Sequence, residues 1–171
     1  MTLRRLCLTV VAALIAVPAQ AQEMARRPVL DADFPDPFVL ATEGELFAYA
    51  TNTRRRGKTI HVQMSRSTDG RSWSASTEAM PTPPPWARRD RPDIWAPEAI
   101  RIGDRYVLYF SARHASQTRP DGLTLCVGAA VSAAPEGPFV PQAEPLTCGG
   151  PLGVIDASPS RNGLARICGS T

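Results

Sequence analysis

Two aspartates in this chain lie far apart but hold equivalent places in a repeat. Asp36-Pro37 precedes Ala96-Pro97 by 60 residues, and Asp156 follows Ala96 by another 60. If the repeat brings these positions together, two carboxyl groups share one pocket. One carboxylate can then take a proton from water while an acid protonates the leaving oxygen, as glycoside hydrolysis requires. Aspartates beside proline also cap turns, and this structural interpretation competes with the catalytic one.

The sequence around these positions repeats with the same offset. Segment 40–49 reads as an apolar strand, a polar turn and an aromatic strand, and it aligns with 100–109 once the turn is shifted by one residue. In both units a serine then leads into a glycine turn and an aromatic residue, Trp73 in one and Phe139 in the other. Each unit is therefore predicted to be a four-stranded meander closed by an aromatic plug, which is typical of propeller blades.

The local patterns predict strands and an all-β fold. Short runs of β-branched and aromatic residues are bounded by turn residues, and the 17 prolines leave little room for long helices. The predicted strands cover 46–50, 59–64, 106–110 and 123–131. Positions 36, 96 and 156 would each enter the first strand of a blade. Because first strands line a propeller's channel, Asp36 and Asp156 are expected to face one axial pocket.

The first residues have the pattern of a secretory signal. Arg4 and Arg5 precede an apolar stretch, and Ala19-Gln20-Ala21 is a small-x-small cleavage site. We expect cleavage after Ala21 and a secreted or periplasmic protein. An uncleaved anchor is the alternative, although a span needs about 20 apolar residues. The expected divisions are a signal peptide at 1–21, a propeller portion at 22–159 and an atypical tail at 160–171.

Charge and cysteine content narrow the classes of partner. The 19 basic residues include Arg4 and Arg5, and without these two, 17 basic residues face 16 acidic ones. Neither nucleic acid nor an anionic membrane surface is therefore expected as a partner. No cysteine-histidine spacing suggests zinc. In an oxidising compartment Cys126 and Cys148 are expected to pair, which leaves Cys168 in the tail.

Three segments taken together resemble family 43 of the glycoside hydrolases. They are DFPDPFVL at 33–40, IWAPEA at 94–99 and VIDASP at 154–159, in the family's order and at plausible spacing. The resemblance implies a secreted five-bladed β-propeller that cleaves arabinans, xylans or related plant polysaccharides with inversion. With about 60 residues per blade, this chain would hold two blades and the first strand of a third.

The resemblance also assigns roles to single residues. Asp36 matches the general base that activates water, and Asp156 matches the aspartate that orients the general acid and tunes its pKa. Trp95 and Phe34, within the matching motifs, are expected at the sugar. For Trp95, a core aromatic between blades is the alternative. No cofactor or metal is expected in this chain. Some members hold a channel cation through a histidine from a later blade, so such a cation stays open for the full-length protein.

Two departures from the family pattern concern the end of the chain. The family's general acid, a glutamate from a later blade, has no counterpart after Asp156, and 160–171 contains no aromatic and no acidic residue. We interpret the chain as the N-terminal part of such a hydrolase, truncated or frame-shifted near Ser160. A carbohydrate-binding propeller without catalysis is the alternative. A related fructan hydrolase is disfavoured by the Trp-Ala-Pro motif at 95–97.

The connection between the first two units is unusually rich in proline. Segment 80–95, MPTPPPWARRDRPDIW, carries five prolines and two tryptophans. Trp86 with Arg88, Arg89 and Asp90 is a candidate carbohydrate-binding rim, because loops of this kind carry binding residues. A polyproline-like linker packed over a blade edge is the alternative.

Overall fold

Strands and turns account for the part of the chain that the computed structural model describes, which is residues 28–30, 32–116, 124–149, 153–159 and 166–168. Within these residues there is no helix, and so none long and apolar enough to cross a membrane. The all-β prediction is confirmed. The expected signal peptide lies outside the described residues.

The first blade is a four-stranded antiparallel sheet with a small hairpin beside it. Its strands, in chain order, are β1 (Phe38–Ala41), β2 (Leu46–Ala50), β3 (Thr53–Arg55), β4 (Lys58–Ile60), β5 (Gln63–Ser67) and β6 (Thr77–Glu78). The sheet order is β1-β2-β5-β6, and β3 pairs only with β4. Arg56 and Gly57, at the hairpin turn, both have positive φ, as a tight two-residue hairpin turn requires.

The predicted strand at 59–64 is wrong in one respect, because the chain breaks there into β4 and β5. The backbone N–H groups of His61 and Val62 donate to the Glu78 carboxylate, at 2.6 and 3.0 Å. A side chain thus replaces the ladder partner, and the strand cannot continue through these two residues.

The second blade repeats the meander of the first. It consists of β7 (Trp95–Ile102), β8 (Arg105–Arg113), β9 (Leu125–Ser132) and β10 (Val140–Pro141), paired in that order. A further strand, β11 (Ile155–Ser158), pairs with β12 (Arg166–Cys168). The prediction of two meanders and the first strand of a third unit is confirmed.

The hydrophobic core lies between the two blades. On the first blade, Phe38 in β1 opposes Tyr49 in β2. These side chains pack against a row of opposed residues on the second blade, which consists of Ala99, Leu108 and Ala130. The two predicted aromatic plugs differ. Phe139 is 1% exposed and meets the Tyr49 ring edge to face at 6.0 Å, whereas Trp73 is only half-buried.

Burial and a specific partner hold Tyr49 at this contact. Its hydroxyl donates to the carbonyl of Pro135, which comes from the second blade. Burial raises the pKa of Tyr49 well above its usual range, and the nearby Glu136 adds to the effect. The phenol therefore stays neutral and serves as a hydrogen-bond donor between blades.

The proline-rich connection packs onto the second blade. Trp86 is buried and lies parallel to Phe110, with ring centroids 6.2 Å apart, and beside His114 at 6.0 Å. Gly128 makes room for it, because a Cβ there would lie 2.5 Å from the Trp86 ring. The rim interpretation is therefore wrong for Trp86, and the packed-linker alternative is correct. Arg88 remains at the surface, paired with Asp90 at 2.7 Å.

Cys126 and Cys148 form the predicted disulfide. Cys126 is fully buried in β9, and Cys148 lies in the segment that leads from β10 towards β11. The bond thus joins the second blade to the approach of the third unit.

Two sheet faces are less well covered than the core between the blades. In the second blade, Ile100, Val107 and Val131 oppose one another on the face turned away from the first blade, and all three are partly exposed. On the outer face of the first blade, Val39 is 48% exposed.

Candidate active site

The three repeat positions share an unusual backbone conformation. Asp36, Ala96 and Asp156 all have positive φ, at 51°, 42° and 57°. The left-handed region is unfavourable for residues other than glycine, by about 1–3 kcal/mol each, and such strain is concentrated at functional sites. The 60-residue register found in the sequence is therefore present in the backbone itself.

The strands that begin at these positions contact one another in succession. β1 contacts β7, and β7 contacts β11, so the first strands of the three units are neighbours. Glu98 in β7 accepts a hydrogen bond of 2.9 Å from the Ser158 hydroxyl in β11. The three strands are thus neighbours in chain order, as expected for the first strands of successive propeller blades.

Two hydroxyl groups connect the repeat positions of neighbouring units. The Thr51 hydroxyl donates to Asp36 Oδ2 at 2.7 Å and accepts from the backbone N–H of Ala96 at 2.9 Å. Sixty residues later, the Ser111 hydroxyl accepts from the backbone N–H of Asp156 at 3.0 Å. Asp36, Ala96 and Asp156 thus lie at the same end of the blades.

A second layer of polar contacts repeats with the same offset. The Thr53 hydroxyl donates to Asp33 Oδ2 at 2.7 Å. At the equivalent positions of the second blade, Arg113 and Asp93 are both buried and form an ion pair of 2.6 Å. Asp33 is exposed, and its carboxylate anchors the segment before Asp36.

Arg55 fastens the β3–β4 hairpin to the same segment. Its guanidinium donates to the Asp33 carbonyl at 3.3 Å, to Gln63 Oε1 at 3.0 Å and to Ser76 Oγ at 2.8 Å. Gln63 in turn donates to the Thr51 carbonyl at 2.9 Å. The support around Asp36 is therefore continuous, which is what a precisely held functional group needs.

The two predicted sugar-binding aromatics occupy different surroundings. Trp95 is partly exposed and lies outside the hydrophobic core. In the β7–β8 ladder it opposes Ser111, the residue that binds the Asp156 backbone. Phe34 is half-buried and lines a cavity on the outer face of the first blade, together with Val39 and Trp73. Contact with sugar remains a prediction for both.

Sequence analysis missed Thr51 and Ser111. The two residues are separated by one repeat of 60 residues. Comparing the polar residues of the two units at this offset would have identified them. Among the described residues, no group of three or more His, Cys, Asp or Glu side chains is placed to hold a metal ion.

Asp36 has the features of a proton acceptor for water. The residue is exposed, and within the described part of the chain one carboxylate oxygen, Oδ2, accepts the Thr51 hydroxyl while Oδ1 has no partner. An oriented carboxylate with one free oxygen can take a proton from a bound water molecule.

Comparison with known proteins identifies the family. Residues 25–162 match the model of glycosyl hydrolases family 43. The chain belongs to this family. The family 43 chain is also similar to the curated xylosidase/arabinosidase 43A of Humicola insolens, with 40% identity over 62 residues, which is 36% of this chain and 16% of the relative.

Solved family 43 structures share the fold. The GH43_1 enzyme of Xanthomonas citri, complexed with xylotriose, matches with a TM-score of 0.61 and 25% identity over 88% of this chain and 45% of its own. An endo-arabinase of Bacteroides thetaiotaomicron VPI-5482 matches with a TM-score of 0.60 and 20% identity over 81% of this chain and 45% of its own. At this identity, the match supports a shared fold and nothing more. The chain thus spans less than half the length of both, and the partial-propeller prediction is confirmed.

Proposed function

We propose that this chain supplies the water-activating side of an inverting glycoside hydrolase that acts on arabinose- or xylose-containing oligosaccharides or polysaccharides. Asp36 is the general base, and Asp156 positions the general acid. The observation that carries the proposal is the pair of aspartates in left-handed conformation at one end of the first and third units. Thr51 of the first blade binds the Asp36 carboxylate, and Ser111 of the second blade binds the backbone of Asp156.

The chemistry assigns one proton transfer to this chain. A water molecule attacks the anomeric carbon from the side of Asp36 and gives its proton to the carboxylate. The glycosidic C–O bond breaks, and the leaving oxygen takes a proton from a carboxylic acid on the opposite side of the sugar. We propose that this acid comes from a later blade, beyond the second.

The proposed substrates rest on the relatives. The Xanthomonas citri enzyme was solved with xylotriose and with xylose, and the Humicola insolens relative is a xylosidase/arabinosidase. Trp95 is partly exposed and opposes Ser111, which binds the Asp156 backbone, and its aromatic face could stack on a sugar ring.

The test compares two aspartates of one motif in the full-length enzyme, meaning this chain together with the coding sequence that continues it. Asp36→Asn should lower kcat by about 10²- to 10⁴-fold, the usual contribution of a general base, on aryl xylosides, aryl arabinosides and debranched arabinan. Asp33→Asn is the matched control and should keep kcat, because the asparagine side-chain oxygen can still accept the Thr53 hydrogen bond that anchors the segment. NMR of the first-formed anomer should show inversion.

Two results would contradict the assignment. Product with retained configuration would mean that a carboxylate acts as the nucleophile, and full activity after Asp36→Asn would mean that another group activates the water. Binding of xylotriose without hydrolysis in the full-length enzyme would favour the alternative, a carbohydrate-binding propeller.

A further inference from the structure

The hydrogen bonds of Thr51 have only one possible direction. A hydroxyl group has a single proton, and the backbone N–H of Ala96 can only donate, so Thr51 must accept from Ala96. The Thr51 proton is therefore committed to Asp36 Oδ2, at 2.7 Å. A bond to an ionised carboxylate is stronger and more directional than one between neutral groups.

The backbone on both sides of Thr51 is fixed as well. Its N–H donates to the Pro35 carbonyl at 3.1 Å, and its carbonyl accepts from Gln63 at 2.9 Å. The hydroxyl therefore joins two residues with strained backbone, Asp36 in the first blade and Ala96 in the second. Because the Thr51 backbone has hydrogen bonds of its own, neither of these two residues can push the hydroxyl out of place.

We propose that Thr51 is the positioning residue of the general base. It holds the Asp36 carboxylate in one orientation and leaves Oδ1 as the oxygen that takes the proton from water. This inference rests on the proposed function, because it presumes that Asp36 is the base. The repeat supports it, since Ser111 binds the backbone of Asp156 in the same register.

The kinetic test removes the hydroxyl and keeps the shape. In the full-length enzyme, Thr51→Val should lower kcat by about 10²-fold, as a misplaced catalytic group does, and should change KM less than about two-fold. Thr51→Ser restores the hydroxyl and should restore kcat. Thr42→Val is the matched control, because it removes a threonine hydroxyl bond of 3.0 Å to the Glu45 carbonyl in the β1–β2 turn, at the other end of β1 from Asp36, and should leave kcat unchanged.

A structural readout separates this inference from the proposed function. Crystal structures should show the Asp36 carboxylate displaced in Thr51→Val and in place in Thr51→Ser. An unmoved carboxylate in Thr51→Val, or a loss of kcat equally large in Thr42→Val, would overturn the role of Thr51. If the wild-type enzyme hydrolyses none of the substrates, the proposed function fails, and the position of Asp36 still decides whether Thr51 holds it. If Thr51→Val does not fold, Thr51→Cys, with its weak thiol donor, takes its place in both measurements.

Discussion

At the scale of single residues, Ala96 shows that the strained backbone does not depend on a carboxylate. It has φ of 42° without a polar side chain to offset the conformation. Because the left-handed region costs an L-residue about 1–2 kcal/mol, Ala96→Gly should raise the free energy of unfolding by up to about 1 kcal/mol. Urea unfolding measures this. The control is Ala41→Gly, in the exposed part of β1, which should lower the free energy of unfolding. A loss of stability in Ala96→Gly would show that the backbone strain at Ala96 is absent.

At the scale of elements, the Cys126–Cys148 disulfide links β9 to the segment that leads to the third unit, across a separation of 22 residues. Replacing both cysteines with alanine should lower the free energy of unfolding by about 3 kcal/mol, because the unfolded chain gains the entropy of an open loop. Urea unfolding with and without dithiothreitol measures the effect. The double variant should be insensitive to the reductant, and recovery of both wild-type cysteines as free thiols in a non-reduced digest would contradict the pairing.

The sequence was sufficient to predict the meanders but not the contacts that bind them together. Strand patterns depend on residues that are neighbours in the sequence. For this reason the predicted strand at 46–50 coincides with β2. The break at His61 and Val62 depends on Glu78, and the burial of Trp86 depends on Gly128 of a distant strand. Likewise, the repeat pointed to Asp36 and Asp156, whereas the hydrogen bonds of Thr51 follow from how one blade lies against the next.

At the scale of the whole molecule, the partly exposed apolar faces should govern how the chain behaves by itself. Ile100, Val107 and Val131 form one such face. Exposed apolar faces and unpaired strand edges favour association. We therefore expect this chain alone to elute as oligomers in size-exclusion chromatography with light scattering, and Val107→Lys to shift it towards monomer. Leu146→Lys, at an exposed position outside the sheets, is the control. A compact wild-type monomer would contradict the expectation.

The stacking of Trp86 also bears on how substrate enters and product leaves. The proline-rich connection ends at the strand that carries Ala96, and it is tied to the second blade by the ring contacts with Phe110 and His114 and by the hydrogen bond from Arg88 N–H to the Arg113 carbonyl at 2.9 Å. A segment with this many buried contacts opens rarely. We therefore expect this connection to stay in place during turnover of the proposed hydrolase, so that no slow closing step of this segment limits the rate of product release.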